Sequence, residues 1–192
     1  GSLTNIFVIT ANQPKTPQII AGNIRVLTAR LSDGRFLYQE DIRKGMDEMN
    51  ERLEMLMFRK ELGSVADKVK RLERNSELLI KLLGYEKDKE NILKAIKYMK
   101  SDLVSNMVYN FPELQGIMGG YFAKSMNLND DVALAINEQY RPLFAADEIP
   151  SNDTGKAIAI LDKMDNIVAG FYVADIPTGS QDPNALRRQA LG

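Results

Sequence analysis

The fold depends on one stretch, Phe111-Pro-Glu-Leu-Gln-Gly-Ile-Met-Gly-Gly-Tyr121, which separates two segments with helical periodicity. Pro112 has no N–H group to donate to a continuing helix, so the helix before it is predicted to end near Asn110. Gly116, Gly119 and Gly120 suit places where helices approach closely or where the backbone needs a positive φ. Local physics therefore predicts a tight elbow between two helices of an α-helical core.

Amphipathic periodicity on both sides of the elbow predicts further helices. Ser64-Val-Ala-Asp67 has the form of a capping box, and Gly63 and Gly84 are suitable helix stops. Gly22 and the sequence Ser32-Asp-Gly34 are expected to interrupt the first helical region. The pattern is that of a mostly α-helical protein with roughly seven helices, over residues 18–44, 46–62, 64–83, 86–110, 118–124, 132–140 and 152–171, and with the start of a further helix at 185–191.

The segment Asn5-Ile-Phe-Val-Ile-Thr10 is the only convincing strand, because it is short, apolar and β-branched. A single strand leaves both of its edges unpaired, so it is expected to find a partner elsewhere. The fold class predicted is thus all-α, a multi-helix bundle with a short N-terminal strand or extended segment.

Composition excludes several kinds of chemistry. The 192 residues include no histidine and no cysteine, which removes the commonest general base, the commonest transition-metal ligand and any thiolate site. The 25 basic and 26 acidic residues give a formal net charge of −1, so no global field draws the chain toward nucleic acid or membrane. No apolar run approaches the roughly 20 residues that a bilayer span requires.

Three aspartates are the candidates for catalysis. Asp162 and Asp165 lie three residues apart on a predicted helix, and with Asp102 they could bind a hard cation through oxygen atoms. The alternative is that these acids are solvated or paired with Lys100 and Lys163. Lys100 lies on the apolar stripe of its predicted helix, so it needs either a route by which its ammonium group snorkels to solvent or a carboxylate partner, for which Asp162 and Asp165 are the candidates.

Basic residues form three weak clusters that permit two interpretations. Each is either a solvated helix face or a contact for RNA phosphates. The clusters are Lys94 with Lys97, then Lys68, Lys70, Arg71 and Arg74, and finally Arg187 with Arg188.

Several blocks carry a resemblance to a known family. They include Gly22-Asn-Ile-Arg-Val-Leu27, Lys100-Ser-Asp-Leu-Val104, the elbow from Glu113 to Tyr121, and Pro177-Thr-Gly-Ser-Gln-Asp-Pro183 followed by Ala185-Leu-Arg-Arg188. In this order the blocks resemble the beta subunit of bacterial tetrameric glycyl-tRNA synthetase. One departure is Gln139, in Glu138-Gln-Tyr-Arg-Pro142, where the family has histidine.

The resemblance implies a helical domain similar to metal-dependent phosphohydrolases named for a His-Asp pair (HD domains). Residues 1–45 would then connect from a preceding domain, and residues 46–192 would form the HD-like domain, with the anticodon-binding domain beyond it. Leu161 to Asn166 resembles the final aspartate helix of that superfamily, and Asp102 resembles the aspartate of the pair, with Ser101 or Lys100 in place of its histidine. The implied site is degenerate, holds no metal and consists of Lys100, Asp102, Asp162 and Asp165, with the Lys100 ammonium replacing a cation.

The resemblance also implies a role in translation. The alpha subunit of the family binds ATP, Mg²⁺ and glycine, whereas the beta subunit serves tRNA recognition. This chain would accordingly be cytoplasmic, inactive alone and without a cofactor, with the alpha subunit and tRNA(Gly) as partners and neither membrane nor DNA. Lys94, Lys97, Arg187 and Arg188 are the predicted tRNA contacts. Two alternatives are a structural module that packs subunits together and a residual metal-dependent phosphohydrolase.

Overall fold

Helices account for most of the computed structural model, which describes residues 5–144, 146–175, 177–178, 182 and 184–192. The predicted mostly-α fold class is confirmed. Within the described part of the chain, a two-stranded antiparallel sheet, β1 (Met57–Arg59) and β2 (Gly63–Ser64), is the only sheet. The helices are α1 (Pro17–Arg52), α2 (Val65–Leu83), α3 (Lys89–Tyr98), α4 (Asn106–Asn110), α5 (Ile117–Ser125), α6 (Asp130–Glu138), α7 (Asp153–Tyr172) and α8 (Leu186–Leu191).

The chain divides into two compact units, Gly1–Phe36 and Leu37–Gly192. In the first unit the predicted strand at Asn5–Thr10 is wrong, since these residues form neither strand nor helix. No described segment of that unit is a strand with which they could pair. They line a cavity of ≈580 Å³ together with the first turns of α1. The proposed domain boundary after residue 45 stays a prediction.

The predicted interruptions of the first helix are also wrong. Helix α1 continues through Gly22 and through Ser32 to Gly34, and its non-helical residue is Gly45, with φ 76° and ψ 165°. A glycine inside a helix costs only about 1 kcal/mol relative to alanine, so it need not end one.

A hairpin replaces the second half of the predicted helix over 46–62. After α1 ends at Arg52, a short 3₁₀ turn at Leu53–Met55 leads into β1 and β2. The predicted capping box then starts α2: Ser64 Oγ accepts from Asp67 N, and Asp67 Oδ2 accepts from Ser64 N. The predicted stop at Gly84 is confirmed, with φ 72°.

The single helix predicted over 86–110 is wrong, because the structure contains several pieces there. A 3₁₀ turn at Glu86–Asp88 precedes α3, and a second one at Ser101–Val104 separates α3 from α4. Ser105 has an extended backbone, and its hydroxyl accepts from Val108 N as the N-cap of α4. Serine and aspartate compete for backbone hydrogen bonds, which favours such breaks over a continuous helix.

The elbow has the predicted form. Helix α4 ends at Asn110, and Pro112 begins a 3₁₀ turn. Gly116 has φ +82°, and a Cβ there would lie 3.1 Å from the Tyr140 ring. A Cβ on Gly119 would lie 2.8 Å from Ile136, so this glycine lets α5 pack closely on α6. The elbow therefore fixes where α5, α6 and Tyr140 meet.

The core of the second unit is formed by apolar side chains of several helices, including Ile92, Ile96, Met99, Phe122, Ile136 and Ile158. A search of the described helices finds none with the length and apolar character needed to cross a bilayer.

Candidate functional site

A network of buried charges lies between α2, α7 and the turn after α3. Lys100 is 4% exposed, and its Nζ donates to Asp162 Oδ2 at 2.9 Å and to Gln139 Oε1 at 2.9 Å. Lys68 Nζ lies 3.0 Å from Asp162 Oδ1 on the other side. The two atoms form an ion pair but not an aligned hydrogen bond. Asp162 Oδ1 is therefore buried without a hydrogen-bond donor. The two ammonium groups thus flank one buried carboxylate.

Asp165 extends this network by one helical turn. Its carboxylate accepts from Lys68 Nζ at 2.9 Å and from both Nε and Nη2 of Arg71, at 2.9 and 3.2 Å. The Phe58 ring, supplied by the hairpin, lies 4.8 Å from Lys68 Nζ and 5.4 Å from the guanidinium carbon of Arg71. We call Lys68, Arg71, Lys100, Asp162 and Asp165 the ion network.

The cations control the ionisation of both carboxylates. Burial alone would raise the pKa of Asp162, but the ammonium groups of Lys100 and Lys68 outweigh it and hold that pKa below its ordinary value. Burial also acts to raise the pKa of Asp165, and the hydrogen bond from Arg71 and the charge of Lys68 lower it. Both side chains therefore carry their negative charge, and the network contains three positive and two negative groups.

Asp102 binds the backbone of the elbow. Its Oδ2 accepts from Gly116 N at 2.6 Å and from Gly119 N at 3.2 Å, while Oδ1 is buried without a partner. Burial raises the pKa of Asp102 to about 6, against the opposing effect of these two N–H groups. Of the four residues implied for the degenerate site, Lys100, Asp162 and Asp165 belong to the ion network, whereas Asp102 holds the backbone of the elbow.

Above the ion network is an open cleft of ≈610 Å³, which we call the polar cleft. It lies between the elbow, the end of α6, α7 and α8. Asp162 belongs both to the lining of the polar cleft and to the ion network, so the cleft adjoins the buried charges. Other polar residues of its lining are Glu113, Gln115, Asn137, Gln139, Tyr140, Arg141, Lys163, Asn166, Arg188 and Gln189.

The predicted tRNA contacts differ in their surroundings. Lys94 is exposed and has no ion pair within the described ranges, whereas Lys97 Nζ contacts Asp47 at 3.0 Å and Tyr98 OH at 2.8 Å. Arg187 lies 3.5 Å from Asp182, and Arg188 lines the polar cleft. Of the block 177–183, Gly179, Ser180, Gln181 and Pro183 lie outside the described residues.

Sequence reasoning missed two members of the network. Lys68 and Arg71 were grouped with Lys70 and Arg74 as a basic surface, yet Lys68 is 3% exposed and Arg71 is half-buried. A signal was available, because Lys68, Leu72, Ser76 and Ile80 follow one another at four-residue spacing on the buried face of α2. Applied to α2, the helical-wheel argument used for Lys100 would have identified Lys68.

Known proteins are similar to this chain over its whole length. The family model for the glycyl-tRNA synthetase beta subunit matches residues 1–192. The chain belongs to that family. The glycine–tRNA ligase beta subunits of Thermodesulfovibrio yellowstonii and Bacillus subtilis are 45% and 44% identical to it, over 100% and 97% of its length. The protein of that name from Syntrophomonas wolfei is 46% identical over 90% of the chain.

The chain spans 28% of the first two of these glycyl-tRNA synthetase beta subunits and 25% of the third. The range that the family model matches includes every residue of the elbow and of the ion network.

A divalent cation, which the resemblance to HD domains implies for a site of that kind, does not fit the donor set of the ion network. The carboxylates of Asp162 and Asp165 already contact Lys68, Lys100 and Arg71, whose charges would repel a metal ion. Asp102 accepts from backbone N–H groups. Among the residues described, no group of three His, Cys, Asp or Glu side chains is placed to hold a metal.

We expect the melting temperature to stay unchanged when millimolar Mg²⁺, Mn²⁺ or Zn²⁺ is added, because only a ligand that binds the folded chain raises it. Differential scanning fluorimetry in chelator and in each metal measures this. A saturable rise that Asp162→Asn abolishes would contradict the argument.

Proposed function

We propose that this segment is a non-catalytic, tRNA-handling part of a glycine–tRNA ligase beta subunit. The observation that carries the proposal is the family match over residues 1–192, together with relatives named glycine–tRNA ligase beta subunit. Such a ligase joins glycine to tRNA with ATP. We assign ATP, Mg²⁺ and glycine to the alpha subunit of a cytoplasmic α₂β₂ heterotetramer, in which tRNA(Gly) and the alpha subunit are the partners of this chain.

The ion network supports the non-catalytic part of this proposal. An HD hydrolase needs imidazole ligands and a metal-activated water, and this chain has no histidine. Lys68 and Lys100 supply the positive charge beside Asp162 that a metal would otherwise supply. The network then acts as a structural tie between α2, α7 and the turn after α3, and we describe it as a degenerate HD site.

Exposed cations support the tRNA-handling part. Lys94 and Arg188 are solvent-exposed and make no ion pair in the described part of the chain, so their charges are available to phosphates. Lys97 is paired with Asp47 and Arg187 with Asp182, so each would have to break its ion pair before it could contact a phosphate. We therefore rank Lys94 and Arg188 first among the four predicted contacts.

We expect weak tRNA(Gly) binding that falls as monovalent salt rises, because each neutralised phosphate releases a counterion. Fluorescence anisotropy of labelled tRNA across a KCl series gives the slope of log Kd against log salt. Lys94→Gln should weaken binding and reduce the slope by about one, whereas Lys156→Gln, whose ammonium is paired with Asp153, serves as the control. A flat salt response, or no binding even by the complete beta subunit, would refute direct RNA contact.

A second candidate function, packing between domains or subunits, is favoured by an apolar groove of ≈370 Å³ between α2 and α7. Leu78, Leu82, Val168 and Tyr172 line it and are each at least 66% exposed. Apolar patches of this kind mark interaction surfaces. If packing is the whole function, charge reversal at Arg187 and Arg188 will disturb assembly in sedimentation velocity and leave tRNA affinity alone. Loss of tRNA affinity with normal assembly would favour RNA handling.

A further inference from the structure

We propose that the polar cleft binds a phosphate group through the side chains of Arg188, Lys163 and Tyr140. The inference rests on the proposed function only for the source of that phosphate, which would be a tRNA. A free phosphate or pyrophosphate carries the same chemistry. Each of these side chains lines the cleft and keeps at least one donor hydrogen for which the described part of the protein offers no acceptor.

Tyr140 provides the first donor. Its hydroxyl oxygen accepts from Gln115 Nε2 at 2.6 Å and from Lys100 Nζ at 3.3 Å, so its own hydrogen must point elsewhere. No acceptor for that hydrogen occurs among the described residues. Burial and the charges of Asp102 and Asp162 raise the pKa of Tyr140 well above its ordinary value, so the hydroxyl keeps its proton. It is a fixed donor at the base of the cleft.

Lys163 provides the second donor. Its Nζ donates to the carbonyl oxygen of Arg141 at 2.5 Å, which uses one of three ammonium hydrogens. No carboxylate of the described chain lies within ion-pair distance of it. Burial lowers the pKa of Lys163; the charge of Asp162, the second-largest effect, and that of Asp147 oppose this, and the charge of Lys100 adds to it. A half-buried cation that makes no ion pair gains when an anion binds beside it.

Arg188 provides the third donor group, a guanidinium with a planar fork that suits phosphate oxygens. It is exposed, lines the cleft and has no acidic partner in the described ranges. Its two basic neighbours differ in this respect. Arg187 contacts Asp182 at 3.5 Å, and Arg141 contacts Glu138 at 3.1 Å and Glu148 at 3.3 Å.

The acids of the cleft lining do not cancel these donors. Asp162 is already flanked by Lys68 and Lys100. Glu113 is exposed. The cleft lining therefore contains two cations that make no ion pair in the described ranges, Lys163 and Arg188, beside one exposed carboxylate, Glu113, and this balance favours an anion over a cation. Its volume of ≈610 Å³ exceeds that of one phosphate and accommodates a nucleotide.

The test uses labelled tRNA(Gly) together with inorganic phosphate and pyrophosphate as probes. We expect Arg188→Gln to weaken tRNA binding at least about fivefold, or ~1 kcal/mol, and to reduce the salt slope by about one. Arg43→Gln is the matched control, since it removes the same charge from an exposed arginine that pairs with Glu40 and lies outside both the cleft lining and the predicted tRNA contacts. Glu113→Gln should tighten binding, because it removes a negative charge from the cleft lining.

Phosphate titration followed by NMR provides the second arm. Phosphate and pyrophosphate should shift the Lys163 ammonium and Tyr140 ring signals of the wild-type chain, with smaller shifts in Arg188→Gln. Equal tRNA affinity of Arg188→Gln and Arg43→Gln, with no phosphate-induced shifts, would overturn the inference and leave the proposed function standing. Phosphate-induced shifts without any tRNA binding would support the inference that the cleft binds phosphate, with free phosphate as the ligand. The same result would refute the proposed function.

Discussion

Replacing Lys100 by methionine is expected to lower the free energy of unfolding by about 3 to 5 kcal/mol. Methionine preserves most of the side-chain length but removes the ammonium group that donates to Asp162 and Gln139. Asp162, itself 4% exposed, would then keep Lys68 as its one ionic partner. Urea unfolding of both proteins, followed by far-UV circular dichroism, gives the difference directly.

Lys94→Met is the matched control for this prediction. Lys94 lies in α3, is exposed and makes no ion pair in the described part of the chain, so its substitution should change stability by no more than about 0.5 kcal/mol. The double variant Lys100→Met, Asp162→Asn should recover part of the loss, because it removes the uncompensated charge. Equal unfolding midpoints for Lys100→Met and the wild type would mean that the ion network does not stabilise the fold.

The elbow and the burial of Lys100 could be predicted from sequence because each depends on local physics. Pro112 cannot continue a helix, and the predicted end near Asn110 is where α4 stops. The apolar stripe that includes Lys100 predicted either a snorkelling route or a carboxylate partner, and the structure contains the second, with Asp162 as the partner. Helix α3 ends at Tyr98, and Lys100 lies in the turn that follows it. The apolar stripe nevertheless predicted correctly that the Lys100 side chain is buried.

Other features depend on tertiary contacts that periodicity does not encode. Asp102 was grouped with Asp162 and Asp165 as a possible cation site and, by resemblance, with the degenerate HD site, but its partners are the N–H groups of Gly116 and Gly119. Asp41 is fully buried and accepts from the backbone N–H groups of Asn106 and Met107, more than sixty residues away. A carboxylate that accepts from distant backbone groups leaves no spacing pattern in the sequence.

The same comparison explains why one lysine was found and the other was missed. Both Lys68 and Lys100 are buried against Asp162, yet only Lys100 stood alone in an apolar stripe. Lys68 is followed closely by Lys70 and Arg71, so it was taken for part of a charged surface. Position on the helical wheel was the better guide, because burial depends on the face of the helix and charge clustering does not.

The second large effect concerns Asp102 and the dependence of stability on pH. Burial raises the pKa of this carboxyl from 3.8 to about 6 in the folded chain. Between these pH values the folded protein holds a proton that the unfolded chain has released, so stability should fall as pH rises from about 4 to about 6. The difference in pKa corresponds to about 3 kcal/mol. Urea unfolding at a series of pH values measures the decline.

Asp102→Asn should remove this decline, because the amide oxygen still accepts from Gly116 and Gly119 but no longer titrates. The other aspartates with shifted pKa values, Asp162 and Asp165 among them, have lowered values, so the stability they contribute is lost only below about pH 4. The chain has no histidine to titrate near pH 6. The wild-type curve should therefore fall relative to the Asp102→Asn curve between pH 4 and 6 and run parallel to it above. Parallel curves across the whole range would show that Asp102 is ionised throughout, and that its bonds to the elbow outweigh the cost of burying its charge.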